Sequence, residues 1–149
     1  MITSNHNSAE YLIREVGARV TQPRISVLKT LLVAPRALTH HEVEQRVRRS
    51  LPVDRVTVYR VLEWLVANRL AHRIAGDDRV WRFNAVADEH ADEHAHFKCS
   101  DCSRVICLED VAPPRRVNVP AGFRSQRVEI TVKGLCDTCS TAARHAPRR

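Results

Sequence analysis

Two Cys-x-x-Cys pairs, Cys99/Cys102 and Cys136/Cys139, are separated by 33 residues in a chain of 149. Four thiolates close a tetrahedral zinc shell, and a spacing of two lets one turn present both sulfurs of a pair. The intervening chain holds strand-like RVICL (104–108) and a longer run, FRSQRVEITVKGL (123–135). A sheet whose two ends return to one place would unite the pairs. The competing chemistry is a redox dithiol, but neither pair is expected to open a helix in a βαβ pattern. A C-terminal half this small needs a staple, so the zinc is expected to serve folding.

The rest of the composition narrows the setting. The N-terminus, MITSNHNSAEYLI, lacks the basic and apolar regions of a secretory signal. No run approaches the ~18 apolar residues of a membrane span. A cytoplasmic location is the expectation, with the five cysteines acting as thiols or metal ligands rather than disulfides. Charge is uneven: residues 1–85 carry 14 Lys and Arg against 8 Asp and Glu, residues 86–149 carry 10 against 9. A basic half beside a nearly neutral, Cys-containing half points to nucleic acid on one side.

Hydrophobic periodicity gives the N-terminal half four short helices. The first follows Ser8 as N-cap. The second opens at Thr21 with Pro23 in its first turn and ends before Pro35. A capping box, Thr39-His-His-Glu42, opens the third, which closes before Pro52. The fourth starts at Asp54 and ends near Asn68, burying Val58, Val61, Leu62 and Leu65. LAHRIAG (70–76) and RVWRF (79–83) then read as two strands around Gly76-Asp77-Asp78. This is the outline of a winged helix, whose last helix enters the major groove while the hairpin touches the flanking backbone. Arg55, Thr57, Tyr59 and Arg60 lie in the first turns of that helix and are the candidate DNA contacts.

With TVYRVL (57–62) following GARVTQPR (17–24) and preceding H-x-H and the two C-x-x-C pairs, the chain resembles the ferric uptake regulator family of bacterial metal-responsive repressors, with most in common with its zinc uptake regulator branch. The ordered motifs span residues 17–139. The resemblance implies DNA contacts at Arg19 (minor groove), Arg24 (phosphate), Tyr59 and Arg60. It also implies a second, exchangeable metal. His94 and His96 correspond to the family's H-x-H, and alternation in the strand HAHFKC puts both imidazoles on one face. Cys107 occupies a position where relatives often have a carboxylate, and a thiolate there favours Zn(II) over Fe(II) or Mn(II). His72, as in zinc-sensing relatives, and His90 complete the candidate regulatory ligands.

The chain also departs from the family. Ala37 stands where iron-sensing members have a histidine before the third helix, and His40 and His41 fall a few residues later. Asn84 stands where an acidic residue often ends the second wing strand. Asp88, Glu89 and Asp92 follow it as substitutes. Pro114 and Val128 leave a further sheet site of some relatives without ligands. Three prolines in VAPPRRVNVPAG (111–122) argue against the helix usual there.

The expected architecture is therefore α+β. A winged helix-turn-helix domain (1–85) is followed by a hinge (86–93) and a small, mostly β dimerisation domain (94–149) with a four-cysteine zinc site. The expected function is a metal-dependent transcriptional repressor that binds a palindromic operator in double-stranded DNA as a homodimer. It would govern metal uptake through zinc, with iron, manganese or peroxide sensing as alternatives, and without membrane or small-molecule substrate. Two other classes compete. A zinc hydrolase could use His94, His96 and Cys107 with Glu93 as base, but the chain has no obvious oxyanion donors and only 4 glycines. A redox-switched regulator would oxidise Cys107 or a knuckle and lose zinc.

Overall fold

The computed structural model describes residues 8–86, 95–108, 110–111, 113–114 and 116–145. The chain divides into two compact units, Met1–Asp88 and Glu89–Arg149. Past Val86, the expected hinge lies outside the described residues, as do His90 and His94. Among the described residues no helix is long and apolar enough to cross a membrane.

In the first unit, local sequence sets each helix boundary. Ser8 caps α1 (Ala9–Glu15), its hydroxyl accepting from the Tyr11 amide. α2 (Gln22–Leu32) opens after Thr21 with Pro23 in its first turn, where a missing N–H costs nothing. Thr39 and Glu42 form the reciprocal capping box of α3 (His40–Val47), and Asp54 caps α4 (Arg55–Ala67). α4 closes at Arg69, which adopts a left-handed φ of 58°. There the Leu70 amide reaches the Leu65 carbonyl at 2.9 Å and the Arg69 amide reaches Val66 at 3.1 Å. This is a Schellman closure without the usual glycine.

The core is the meeting of the four helices. Ile13, Val27, Leu28, Leu31, Val43, Val47, Val58, Leu62 and Leu65 are buried there, with Phe83 from the sheet. Val58, Val61, Leu62 and Leu65 make the inner face of α4, as the periodicity predicts. The wing is β2 (Ala71–Ala75) antiparallel to β3 (Trp81–Ala85). A third, two-residue strand, β1 (Leu38–Thr39), pairs with β3 on its other side. Two residues carry no readable alternation, so this strand has no signature in the sequence.

The wing turn is locked from within. Arg82, nearly buried, places both guanidinium nitrogens on the Asp78 carboxylate at 2.7 and 2.8 Å. That fork holds the Asp78 carboxyl down at about 2. A Cβ on Gly76 would collide with both partners, so only glycine admits the pair.

The second unit is a three-stranded sheet in the order β5-β4-β6. β4 (Ala95–Cys99) runs antiparallel to β5 (Val105–Leu108) and parallel to β6 (Thr131–Gly134). The long strand expected over 123–135 shrinks to these four residues of β6. No described residue of 111–122 is helical, in line with its prolines. α5 (Asp137–His145) is an element the sequence reading did not anticipate. It sets Cys136-x-x-Cys139 at the start of a helix, but among the described residues no strand follows α5, so this is not the βαβ setting of a redox dithiol. Among the described residues apolar burial here is slight: Ala95, Cys99, Val105, Pro113 and Cys136. Two of these five are cysteines, so sulfur takes much of the place of a hydrophobic core.

Glu42 gives the first unit a titratable anchor. Burial opposes its charge, but hydrogen bonds from Arg36 and the Thr39 amide, with the Arg36 charge, hold its carboxyl down from 4.5 to about 2. Such a group stabilises the fold fully above its unfolded value, and that contribution disappears as pH falls through the folded one. Glu42→Gln is therefore expected to lower the melting temperature at pH 7. Its difference from wild type should persist down to pH 4.5 and vanish towards pH 2. A difference independent of pH across that window would show that the charge is not what stabilises the cap.

Candidate metal centres and DNA-binding face

The parallel register of β4 and β6 brings the knuckles together. Cys99 lies opposite Gly134, so both strands leave the sheet at the same end. Gly134 has no side chain to push away the Phe97 ring, which a Cβ would approach to 3.3 Å. The Ser100 amide then donates to the Gly134 carbonyl at 2.8 Å. After Cys99 the chain turns tightly: the Ser103 amide reaches the Cys99 carbonyl and the Cys99 amide reaches the Arg104 carbonyl at 2.8 Å. Cys136 lies just before α5, its carbonyl accepting from the Ser140 amide, and Cys139 sits in the helix's first turn. Arg104 ties the two knuckles together by an ion pair to Asp137 at 3.0 Å.

All four sulfurs lie within 4.8 Å of one another. Cys102 and Cys136 are 3.7 Å apart, far beyond a disulfide bond and close to the edge of about 3.8 Å that a tetrahedron of ~2.3 Å zinc–sulfur bonds requires. The donor set therefore fits a tetrahedral thiolate-bound ion. The thiols are unequal. Amides of Cys102 and Cys136 point at the Cys99 sulfur and bring it down to about 6, while Asp101, followed by Cys136, pushes Cys139 up. Metal uptake by this set must release protons.

A second donor pair lies on the same sheet. His96 and Cys107 are direct partners across β4 and β5, both half-buried, with ligand atoms within 4.8 Å. Direct partners share a face, so imidazole and thiol point the same way. In the first unit, His72 on β2 faces Asn84 on β3. Ala37, where iron-sensing relatives have histidine, is fully buried, so no ligand could be presented there. His40 instead places its ring beside Tyr59, centroids 5.9 Å apart, with a buried Nε2 that has no hydrogen-bond partner among the described residues.

α4 presents a mixed exposed face. Arg55, Val56, Tyr59 and Arg60 are solvent-facing, with Val56 56% and Tyr59 54% exposed. The expected contact Thr57 is committed elsewhere: its amide and hydroxyl both donate to the Asp54 carboxylate, at 2.7 and 3.0 Å. Val56, which the sequence reading did not single out, is an apolar side chain left exposed beside Arg55 in the first turn. Arg19 is exposed in the α1–α2 connection. Arg24 is half-buried, its guanidinium 3.8 Å from the centre of the Trp64 ring. On the wing, Arg73 lies over the exposed Trp81 and pairs with Glu63 of α4 at 3.4 Å.

A winged helix with an arginine-rich outer helix, followed by a unit built on a four-cysteine cluster, defines a transcription regulator whose fold includes metal knuckles. Residues 15–132 match the Ferric uptake regulator family. The chain is 33% identical over 132 residues to the transcriptional regulator FurA of Mycobacterium tuberculosis, covering 86% of this chain and 87% of that one. It is 35% identical over 123 residues to ferric uptake regulation protein 1 of Mycolicibacterium fortuitum, covering 80% and 74%. In fold it matches a zinc uptake regulator solved with zinc and DNA, at a TM-score of 0.66 and 20% identity over 93% of this chain and 94% of that one. The chain belongs to the ferric uptake regulator family. It is accordingly a metal-responsive transcriptional regulator and not an enzyme.

The first knuckle carries a removable strain. Ser103 holds a φ of 60°, a left-handed conformation that costs a non-glycine residue about 1–2 kcal/mol. Ser103→Gly is expected to stabilise the second unit by about 1 kcal/mol, seen as a higher urea midpoint and slower metal release to a chelator. A lower midpoint would mean that the serine side chain holds the turn.

Proposed function

We propose that the protein is a zinc-dependent repressor that binds a palindromic operator as a homodimer and controls metal uptake genes. The pairing of His96 with Cys107 across β4 and β5 carries this reading. An imidazole and a thiolate on one face form a borderline-soft donor pair, which suits Zn(II) better than Fe(II) or Mn(II). The four cysteines, Cys99, Cys102, Cys136 and Cys139, hold a separate zinc that serves the fold.

The regulatory ligands we assign are His96 and Cys107 with His94, His90 and His72, the last from the DNA-binding unit. The protein's own residues then do the rest. Arg19 engages the minor groove, while Arg24, stacked over Trp64, is held back from the phosphate role that the resemblance implies. Arg55, Tyr59 and Arg60 enter the major groove, with Thr57 holding the helix start and the Val56 methyls available to a thymine methyl. Regulation follows if the metal binds the DNA-competent arrangement more tightly than the other. To carry that equilibrium from rare to dominant, metal must prefer one state by roughly 5 kcal/mol.

A second copy is supported by the apolar surface of the small unit. Val111, Val117, Val119, Phe123, Val132 and Leu135 are exposed there, apolar side chains that a second copy could cover. Dimerisation would present two α4 helices to two half-sites. We assign the protein to the cytoplasm, where bacterial DNA lies.

Iron is the second reading, favoured by relatives that carry the ferric uptake name. The decisive measurement is the affinity for a duplex selected in vitro, with Zn(II), Fe(II) or Mn(II) added to protein whose four cysteines are already zinc-loaded. Zinc is expected to raise DNA affinity most. If iron alone does so, the sensed metal is iron; if none does, regulation by metal at this site fails. Cys107→Ser is expected to weaken zinc binding by at least the roughly 10–100-fold that losing a mere outer-shell partner costs. DNA binding should fall with it while the melting temperature stays. A parallel loss of melting temperature would make Cys107 structural.

A further inference from the structure

The connection bearing Arg19 is held at both ends. Gly17, at a φ of 69°, ends α1 in a Schellman motif: its amide reaches the Arg14 carbonyl at 2.8 Å and the Ala18 amide reaches Ile13 at 3.3 Å. Three residues beyond Ala18, Thr21 opens α2, its carbonyl accepting from the Ile25 amide at 3.0 Å. Between these anchors a side chain takes hold. Arg24 Nη1 donates to the Arg19 carbonyl at 2.7 Å, while the same guanidinium lies flat enough on Trp64 to sit 3.8 Å from its centroid. Trp64 belongs to the third turn of α4 and is itself half-buried against the helical core.

One planar head thus links the backbone at Arg19 to the helix that carries Tyr59 and Arg60. Arginine alone can do both things at once, stacking through its face and donating through its edge, whereas a lysine ammonium cannot. A guanidinium engaged in this way is not a free tether for a phosphate.

We propose that Arg24 and Trp64 form a positioning clamp that sets the Arg19 arm in register with α4, making Trp64 a determinant of DNA affinity without touching DNA. The proposal rests on the assignment of Arg19 and α4 to DNA. It adds that the minor-groove arm and the major-groove helix are delivered as one rigid piece. Neither unattached packing of Trp64 nor a direct phosphate contact by Arg24 accounts for a bond from Arg24 to the Arg19 carbonyl.

The test is a set of variants of the full, metal-loaded chain, measured by fluorescence anisotropy on the selected duplex, with thermal melts alongside. Arg19→Ala is expected to weaken binding on the order of tenfold. Trp64→Leu should lose most of that factor, and the double variant should be no weaker than the worse single one. Trp64→Phe keeps an aromatic face and should keep most of the affinity. Arg24→Lys keeps the charge a phosphate contact needs but loses the clamp, so it should behave like Trp64→Leu. Because this change lies at the surface end of the clamp, it also decides the matter should Trp64→Leu fail to fold. Wild-type affinity in Arg24→Lys, or additive losses from Arg19→Ala and Trp64→Leu, would overturn the clamp. No loss in Arg19→Ala would instead remove the DNA assignment beneath it.

Discussion

Parallel pairing of β4 with β6 is the contact on which the small unit depends. It requires the chain to run out through β5, cross over and come back alongside β4 in the same direction. No described residue of the crossover is helical, since Pro113, Pro114 and Pro120 deny the backbone donors and angles a helix needs. What the detour achieves is a pair of strand ends side by side, and four sulfurs within a coordination sphere of one another. With so little apolar surface buried, a metal bound by those sulfurs is folding energy in the most direct sense.

The DNA-binding unit depends on a different economy, that of helix ends. Four short helices have many unsatisfied backbone groups for their length. Here Ser8, Thr39 with Glu42, and Asp54 satisfy them at the starts, while Gly17 and Arg69 close two of the ends. The same residues also aim the recognition surface. Asp54 absorbs Thr57 and leaves Arg55, Val56, Tyr59 and Arg60 outward. Consecutive residues of α4, Glu63 and Trp64, each hold an arginine from a different neighbour, one from the wing and one from α2. α4 is therefore braced on two flanks by charge and aromatic contact rather than by the hydrophobic core alone.

Much of this was legible in the residue order. Caps, prolines and a 3.6-residue apolar period are local signals, and α1 to α4 and the hairpin appear where those signals fall. The elements that escaped are those whose cause is distant. β1 exists because β3 has a free edge beside Leu38 and Thr39, which two residues cannot announce. β6 is short because its partner β4 is short, although the sequence around it is strand-like for thirteen residues. α5 begins inside a Cys-x-x-Cys, where ligand spacing masks the helical pattern. At the metal sites, residue types were readable but their grouping was not. That His96 faces Cys107, and that Arg24 is turned inward to Trp64, follow from register and packing.

His96 and Cys99 share one five-residue strand, whereas Cys107 stands alone on its neighbour. A strand that ends in the fold-holding cluster is poor ground for variation, since each change near Cys99 puts folding at risk. β5 carries no such burden. With Cys107 holding the sensed ion as proposed, position 107 is where thiolate could be exchanged for carboxylate, and with it the preferred ion, while leaving the rest of the architecture untouched. The geometry separates what must be inherited from what is free to diverge.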